Sequence, residues 1–561
     1  MKLHPLLLVA CCVALAATQS RGETQPSATI DSGRLQGANF GAAPNEVMFL
    51  GIPYAAAPTG DRRWKAPQPV EKWQSVRKAD AYGAACPQAV EPNWNGYEKE
   101  MQTFEPYYSV HMDEDCLYLN VWTTNLPGAD HIAAKFPVMF WIHGGGNLDG
   151  ASQVTPMGPV LARKGVVVVS LNYRLGVLGF MAHPALTAES PHHVSGNYGL
   201  LDQIAALQWV KRNIAKFGGD PENVTIFGVS SGSADVCYLM ASPLARGLFQ
   251  RGIMESATCS DFINPELKTP IHYLAGDGTA EDIGLRLMHD LGIADGPDAL
   301  AKLRATPAKE VVEISSHYNT VLVEATVDGW FLTEQPAVAL TEGRLVGVPV
   351  IVGSNSDEAT VNVEEDLQAE PTLANYKAYL KNEFGNQTEA DEFFRLYAAA
   401  SDAEVHDTFA RFDTDYAFGY PAHRLAWNAA RAGQKVWYYY FSYAGRSEAY
   451  AKLGAFHGIE TRFLTGWLRP SRWGQIIADD QQMINLMTGY WTQFARTGDP
   501  SGPGLPPWPK YDAKTDQVQE LGHEVKQRPI PHGDRFPLFE RSLNRRLALL
   551  GKAQAGAAQT R

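Results

Sequence analysis

Runs of apolar residues recur along the chain, separated by stretches with a helical period. Phe136–Ile142 is followed by apolar runs at 166–171, 223–227, 252–254, 348–352 and 435–441. These runs are continuously apolar rather than alternating, which suits strands of a sheet covered on both faces. Between them, 202–216 carries an amphipathic helical period that stops at Gly218-Gly219, and 234–241 holds no proline or glycine. The intervals 265–345 and 360–430 read as helical insertions covering the sheet. From about 545 the chain is Ala-rich, and weak structure is expected over 546–561. The pattern predicts an α/β protein: a central, mostly parallel sheet flanked by helices, with large helical and loop insertions.

Length changes this picture little. The 561 residues contain no Ser/Gly- or Pro-rich linker, charge block or fixed-period repeat, so a single domain over 17–545 is expected. A net charge of −13 argues against nucleic acid or an anionic membrane as partner. At the N-terminus, Lys2 precedes an apolar run from Leu6 to Ala16 that is too short to span a bilayer comfortably. Residues 1–16 therefore read as a signal peptide, with small residues at Ala14 and Ala16 before a mature start near Ala17. Leu8-Val9-Ala10-Cys11 offers the alternative of lipid anchoring through Cys11. Either way the chain is exported, to the periplasm or the medium, and no later segment reads as a membrane span.

Export makes the remaining cysteines informative. Cys86, Cys116, Cys237 and Cys259 are even in number, as a disulfide framework requires, and allow three pairings. A bridge between Cys86 and Cys116 would restrain a loop carrying Trp94, Tyr97, Phe104, Tyr107 and Tyr108. Neither Cys237 nor Cys259 has the spacing of a zinc ligand.

The candidate chemistry lies where apolar runs end. Gly228-Val229-Ser230-Ser231-Gly232 follows one such run and precedes a helix-compatible stretch. A Gly-x-Ser-x-Gly turn of this kind exposes the serine hydroxyl, while its small residues permit close packing. His143-Gly144-Gly145-Gly146 follows another apolar run and can present main-chain N–H groups to an oxyanion. A serine needs a base, and the base an orienting acid. In chain order the acid comes next, and both Asp357 and Glu358 lie in the loop after 348–352. Five histidines follow: His406, His423, His457, His523 and His532. His457 lies beyond the aromatic run at 435–441 beside Gly458, and its position favours it as the base.

These residues fall within a longer series that resembles the type-B carboxylesterases, the family that includes the cholinesterases. The series begins with Phe49-Leu50-Gly51-Ile52-Pro53-Tyr54-Ala55, Pro58 and Arg63-Trp64, then Glu114-Asp115-Cys116-Leu117-Tyr118-Leu119-Asn120. It continues through Asn172-Tyr173-Arg174, Gly196-Asn197-Tyr198-Gly199-Leu200-Leu201-Asp202-Gln203 and Phe217-Gly218-Gly219-Asp220-Pro221. His457-Gly458 with Glu460, and Phe494-Ala495 with Thr497-Gly498-Asp499-Pro500, complete it. The resemblance implies an α/β-hydrolase fold and a serine carboxylesterase working through an acyl-enzyme on a small-molecule ester. It implies Ser230 as nucleophile, Glu358 as acid and His457 as base. It also implies an oxyanion hole from the N–H groups of Gly145, Gly146 and Ser231, a Cys86–Cys116 disulfide, and no metal or organic cofactor.

The chain departs from the family pattern at Val229, where Glu is common, and at Ser231, where Ala is. The missing carboxylate weakens analogy with choline-ester recognition, and Trp94 does not align with the choline-binding tryptophan. Ala359 replaces a frequent glycine. Two rival readings are a non-catalytic binding protein on the same fold, and a hydrolase of amides or long-chain triacylglycerols. Aromatics at 94–108 and the stretch from Trp467 to Trp473 are candidate entrance residues.

Overall fold

The computed structural model describes residues 25–89, 110–128, 134–273, 276–315, 324–345, 347–445, 452–466, 468 and 476–559. The signal segment with Cys11, the aromatics Trp94 to Tyr108, and Trp467 with 469–473 lie outside the described residues.

The central sheet has eleven strands. They are β1 (Ala38–Asn39), β2 (Val47–Pro53), β3 (Tyr118–Thr123), β4 (Phe136–Ile142), β5 (Val167–Leu171) and β6 (Gly219–Val229), followed by β7 (Arg251–Glu255), β8 (Val350–Asn355), β9 (Val436–Phe441), β10 (Gln517–Leu521) and β11 (Val525–Pro529). Their spatial order is β11-β10-β9-β8-β7-β6-β4-β5-β3-β2-β1. The run from β10 to β5 is parallel throughout, and antiparallel pairing is confined to the two ends. This is the α/β-hydrolase architecture expected above.

The continuous apolar runs follow from burial on both faces. Val138, Phe140 and Ile142 of β4 join one core, while Met139 and Trp141 join the other. Strand β8 divides the same way, with Val350 and Val352 on one side and Ile351 opposite. Each fully buried large apolar side chain stabilises by roughly 1.5–3 kcal/mol, so both faces contribute.

The strands that the apolar pattern missed are mostly peripheral. Strand β11 reads Val-Lys-Gln-Arg-Pro and is largely exposed, so it carries no apolar run. Strand β8 also extends past its apolar stretch, since Gly353, Ser354 and Asn355 pair with Tyr439, Tyr440 and Phe441. A Cβ on Gly353 would lie 2.4 Å from the Tyr439 carbonyl oxygen, so only glycine fits there.

Helix α1 (Tyr198–Asn213) runs into a 3-10 turn (Ile214–Phe217) that ends at Gly218, φ +80°. Helix α2 (Ser231–Ala241) follows β6 directly. The insertion at 360–430 is helical as expected, whereas 265–345 also holds a short antiparallel strand pair. The Ala-rich segment differs from expectation: it lies in α4 (Phe536–Gln559), after α3 (Ala478–Thr497). Alanine is the strongest helix former, and buried Leu543 and Leu550 pin this helix to the body. Both disulfides form, Cys86–Cys116 and Cys237–Cys259.

One ion pair locks the loop after β5 to α1. Arg174 donates from Nε and Nη2 to the Asp202 carboxylate, both at 2.7 Å, with both residues buried. Removing one partner strands the other charge in the interior. Asp202→Ala is expected to lower unfolding stability by about 3–5 kcal/mol, read from the midpoint of urea denaturation.

Candidate active site

The order of strand addition reverses at β4: β5 is laid down on one side of it and β6 on the other. Such a reversal opens a crevice at the carboxyl ends of the strands. The Ser230 turn and the glycine run both emerge there.

Ser230 sits between β6 and α2 at φ +55°, ψ −130°, a conformation costing a non-glycine residue about 1–3 kcal/mol. Its N–H donates to Glu255 O at 2.9 Å, and its carbonyl accepts from Ser233 and Ala234 N–H at 2.8 and 3.0 Å. The flanking glycines are demanded by packing. A Cβ on Gly232 would lie 2.3 Å from Ile142 O, and one on Gly228 would lie 2.5 Å from the Gly232 carbonyl. Ser231 is the first residue of α2, a position whose N–H has no intrahelical acceptor.

The glycine turn lies against this elbow: a Cβ on Gly144 would be 3.0 Å from Ser230 Cβ. Gly145, Gly146 and Asn147 all have positive φ, at +113°, +62° and +57°. Leu148 and Asp149 N–H close the turn onto Gly145 O at 2.9 and 3.0 Å. His143 stacks on Tyr173 with ring centroids 4.4 Å apart, and its Nδ1 lies 2.8 Å from Gly144 O. Burial pushes His143 down to about 4, against the opposing Gly144 bond, so the ring is neutral at pH 7.

Glu358 and His457 meet on the same edge. His457 Nδ1 lies 2.7 Å from Glu358 Oε2, while Glu358 Oε1 accepts the Asn355 N–H at 2.6 Å. Their backbones also bond, His457 N–H to Glu358 O at 3.1 Å. Asp357, the other acid that chemistry allowed, accepts the Ala455 N–H at 3.0 Å instead. The remaining histidines lie elsewhere: His406 beside Asp407, His423 beside Asp516, His532 beside Asp415, and exposed His523 against Tyr443.

Desolvation alone would lower the His457 imidazole. The hydrogen bond and charge of Glu358, with the charges of Glu460 and Asp413, outweigh it and hold His457 above its usual value. Glu460 receives Asn355 Nδ2 at 2.5 Å and Ser256 Oγ at 3.1 Å. Burial, then the nearby Glu358 charge, pushes Glu460 up to about 7. Glu255 accepts Trp491 Nε1 at 3.0 Å, and burial holds it well above the carboxylate range.

Several of these residues escaped the sequence reading. Glu460 stood in the family motif without a role, and Glu255 lay just beyond the apolar run at 252–254. Phe418 had no signal at all. It lies on a π-helical turn (Thr414–Gly419) that brings its ring 4.9 Å from His457. Thr414 Oγ1 on that turn accepts the Ala359 N–H at 3.1 Å. Among the described residues, no group of three or more His, Cys, Asp or Glu side chains is placed to hold a metal.

A strained serine elbow at the switch point of an α/β-hydrolase sheet defines a serine-hydrolase class of protein. The chain belongs to the carboxylesterase family, which matches residues 24–535. It is 35% identical to the fumonisin B1 esterase of Sphingopyxis macrogoltabida, over 87% of this chain and 86% of that one. It is 33% identical to the para-nitrobenzyl esterase of Bacillus subtilis, over 88% and 95%. The human cocaine esterase is 31% identical, over 92% and 93%. The protein is a carboxylic ester hydrolase.

The electrostatics around His457 can be read directly. In an NMR titration the His457 ring should titrate above about 6.5, the usual histidine value. Glu358→Gln removes the main opposing charge and leaves desolvation against only the Glu460 and Asp413 charges, so the midpoint should move down; an unchanged midpoint would contradict the pairing.

Proposed function

We propose that Ser230, His457 and Glu358 are the triad of this esterase, and that the N–H groups of Gly145, Gly146 and Ser231 bind the oxyanion. The carrying observation is the 2.7 Å contact of His457 Nδ1 with a Glu358 carboxylate whose other oxygen is already held by Asn355 N–H. That bond holds the proton on Nδ1 and leaves Nε2 as the basic nitrogen. His457 Nε2 takes the Ser230 hydroxyl proton as Oγ attacks the ester carbonyl. The tetrahedral oxygen gains N–H bonds, and His457 returns the proton to the leaving alcohol. Water then repeats the sequence on the acyl-enzyme, releasing the carboxylate. Glu358 stabilises the imidazolium without taking its proton.

The substrate is a small carboxylic ester. Two disulfides among the described residues support export to an oxidising compartment after removal of residues 1–16. The similarity to para-nitrobenzyl and fumonisin B1 esterases supports testing both small aryl esters and bulky natural-product esters.

Hydrolysis of p-nitrophenyl acetate, butyrate, octanoate and palmitate tests the assignment. Ser230→Ala should lower kcat by about 10³–10⁶ on every ester that the native protein turns over. Retained turnover in folded Ser230→Ala protein sinks the nucleophile assignment.

Acylation needs neutral His457, so kcat/KM should rise with pH through the raised His457 value. The limb should shift to lower pH in Glu358→Gln, with a loss of about 10²–10⁴ in kcat. A limb at the same pH in both proteins would remove His457 from the role of base.

A further inference from the structure

Five residues after Ser230, α2 buries a carboxylate that the triad does not use. Asp235 is fully buried, and among the described residues its partners are two side-chain amides and no cation. Gln203 Nε2 of α1 donates to Oδ2 at 2.5 Å, and Asn147 Nδ2 donates to Oδ1 at 3.1 Å. Burial pushes the Asp235 carboxyl up to about 7, and the two amide bonds oppose that shift. A carboxylate placed in the interior without a cation costs stability, so its place there calls for a structural reason.

The reason lies in what Asn147 does. It directly follows the glycine turn, is buried, and holds φ +57°, a left-handed conformation that asparagine accepts more readily than other non-glycine residues. Its side chain is gripped at both ends. Asp235 accepts from Nδ2, and the Tyr173 hydroxyl lies 3.1 Å from Oδ1. Its carbonyl accepts the Gly176 N–H at 2.7 Å. The same Tyr173 hydroxyl lies 2.9 Å from His143 O, at the other end of the turn, and its one proton is shared between the two acceptors. The backbone of 143–147 is thus clamped at its first and last residues. Between the clamps lie Gly144, Gly145 and Gly146, which have no side chains to hold them.

We propose that Asp235 is a positioning residue for ester hydrolysis: through Asn147 it fixes the glycine turn whose N–H groups meet the developing oxyanion. This rests on the oxyanion assignment above and extends it to the residue that sets the turn's geometry. Asp235 sits on the helix that starts at the nucleophile, so one rigid element carries both Ser230 and the anchor for its oxyanion donors. Oxyanion donors act only on the transition state. A loosened turn should therefore lower kcat and leave KM in place.

The test compares wild type, Asp235→Ala, Asp235→Asn, Asn147→Ala, the Asp235→Ala/Asn147→Ala double variant and Ser230→Ala. Turnover of p-nitrophenyl butyrate is measured beside inhibition by an alkyl trifluoromethyl ketone and by its methyl ketone counterpart. Ser230 Oγ bonds to the trifluoromethyl ketone carbonyl carbon, its proton passes to His457 and the carbonyl oxygen becomes a hemiketal oxyanion; the methyl ketone binds without that step. Asp235→Ala and Asn147→Ala should each lower kcat about 10–100-fold and weaken the trifluoromethyl ketone by the same factor, below the about 10²–10³ of losing a donor outright. KM and methyl ketone affinity should hold within about twofold, and the double variant should lose no more than the larger single. Asp235→Asn keeps one acceptor and should fall between, which retains a readout if the alanine variant does not fold.

Unchanged kcat and trifluoromethyl ketone affinity in Asp235→Asn and Asn147→Ala, with only a lower Tm, would overturn the proposal. So would additive losses in the double variant. If Ser230→Ala binds the trifluoromethyl ketone as tightly as wild type, the nucleophile assignment itself fails and the proposal falls with it.

Discussion

The site depends on how closely the serine elbow approaches the end of strand β4. Gly228 and Gly232 let α2 start within contact of Ile142 and His143, where a Cβ on Gly232 would be 2.3 Å from a main-chain oxygen. Main-chain atoms of β4 cannot yield as a flexible side chain could. The approach therefore requires glycine, and it forces Ser230 into a left-handed backbone. Because β4 and β6 are neighbours, the same approach presses the Gly144 turn against Ser230 Cβ. Ser230 and the glycine turn are thus brought together by one steric constraint, and the sheet around them supplies the rigidity that holds the strain.

Electrostatics then separates the acids. Glu358 has both oxygens engaged, one by His457 and one by Asn355 N–H. Glu460 and Asp413, buried near the same imidazole, are pushed up to about 7 and about 6 by desolvation first. Carboxyls whose environments differ in this way take different parts in one chemistry. Glu358 is the partner in contact, while Glu460 and Asp413 act on His457 through the field. Asn355 connects the two kinds, giving its N–H to Glu358 and its amide to Glu460.

Much of this was legible before the fold was known. The apolar runs marked β4 to β9, because strands buried on both faces cannot hide their composition. The chemistry of strand-end loops isolated Ser230, the glycine turn and His457, and the resemblance chose Glu358 over Asp357. Strand β11 and the polar end of β8 carry no apolar signature, since one is exposed and the other is held by pairing with β9. The π-helical turn that lays Phe418 on His457 follows from packing of the 360–430 insertion, whose aromatic core is separate from that of the sheet.

By itself the sequence determined the fold class and the order of the chemical groups, because these depend on local period and on motifs read along the chain. It also carried the family membership, since ordered motifs survive where side-chain detail varies. Only the tertiary structure decided which carboxylates surround His457, that Asp357 turns away from it, and that Asp235 grips Asn147 across 88 positions of chain. Those contacts join residues far apart in sequence. They form only after the sheet brings β4, β6, β7 and β8 side by side, and no one-dimensional pattern encodes the distances between their loops.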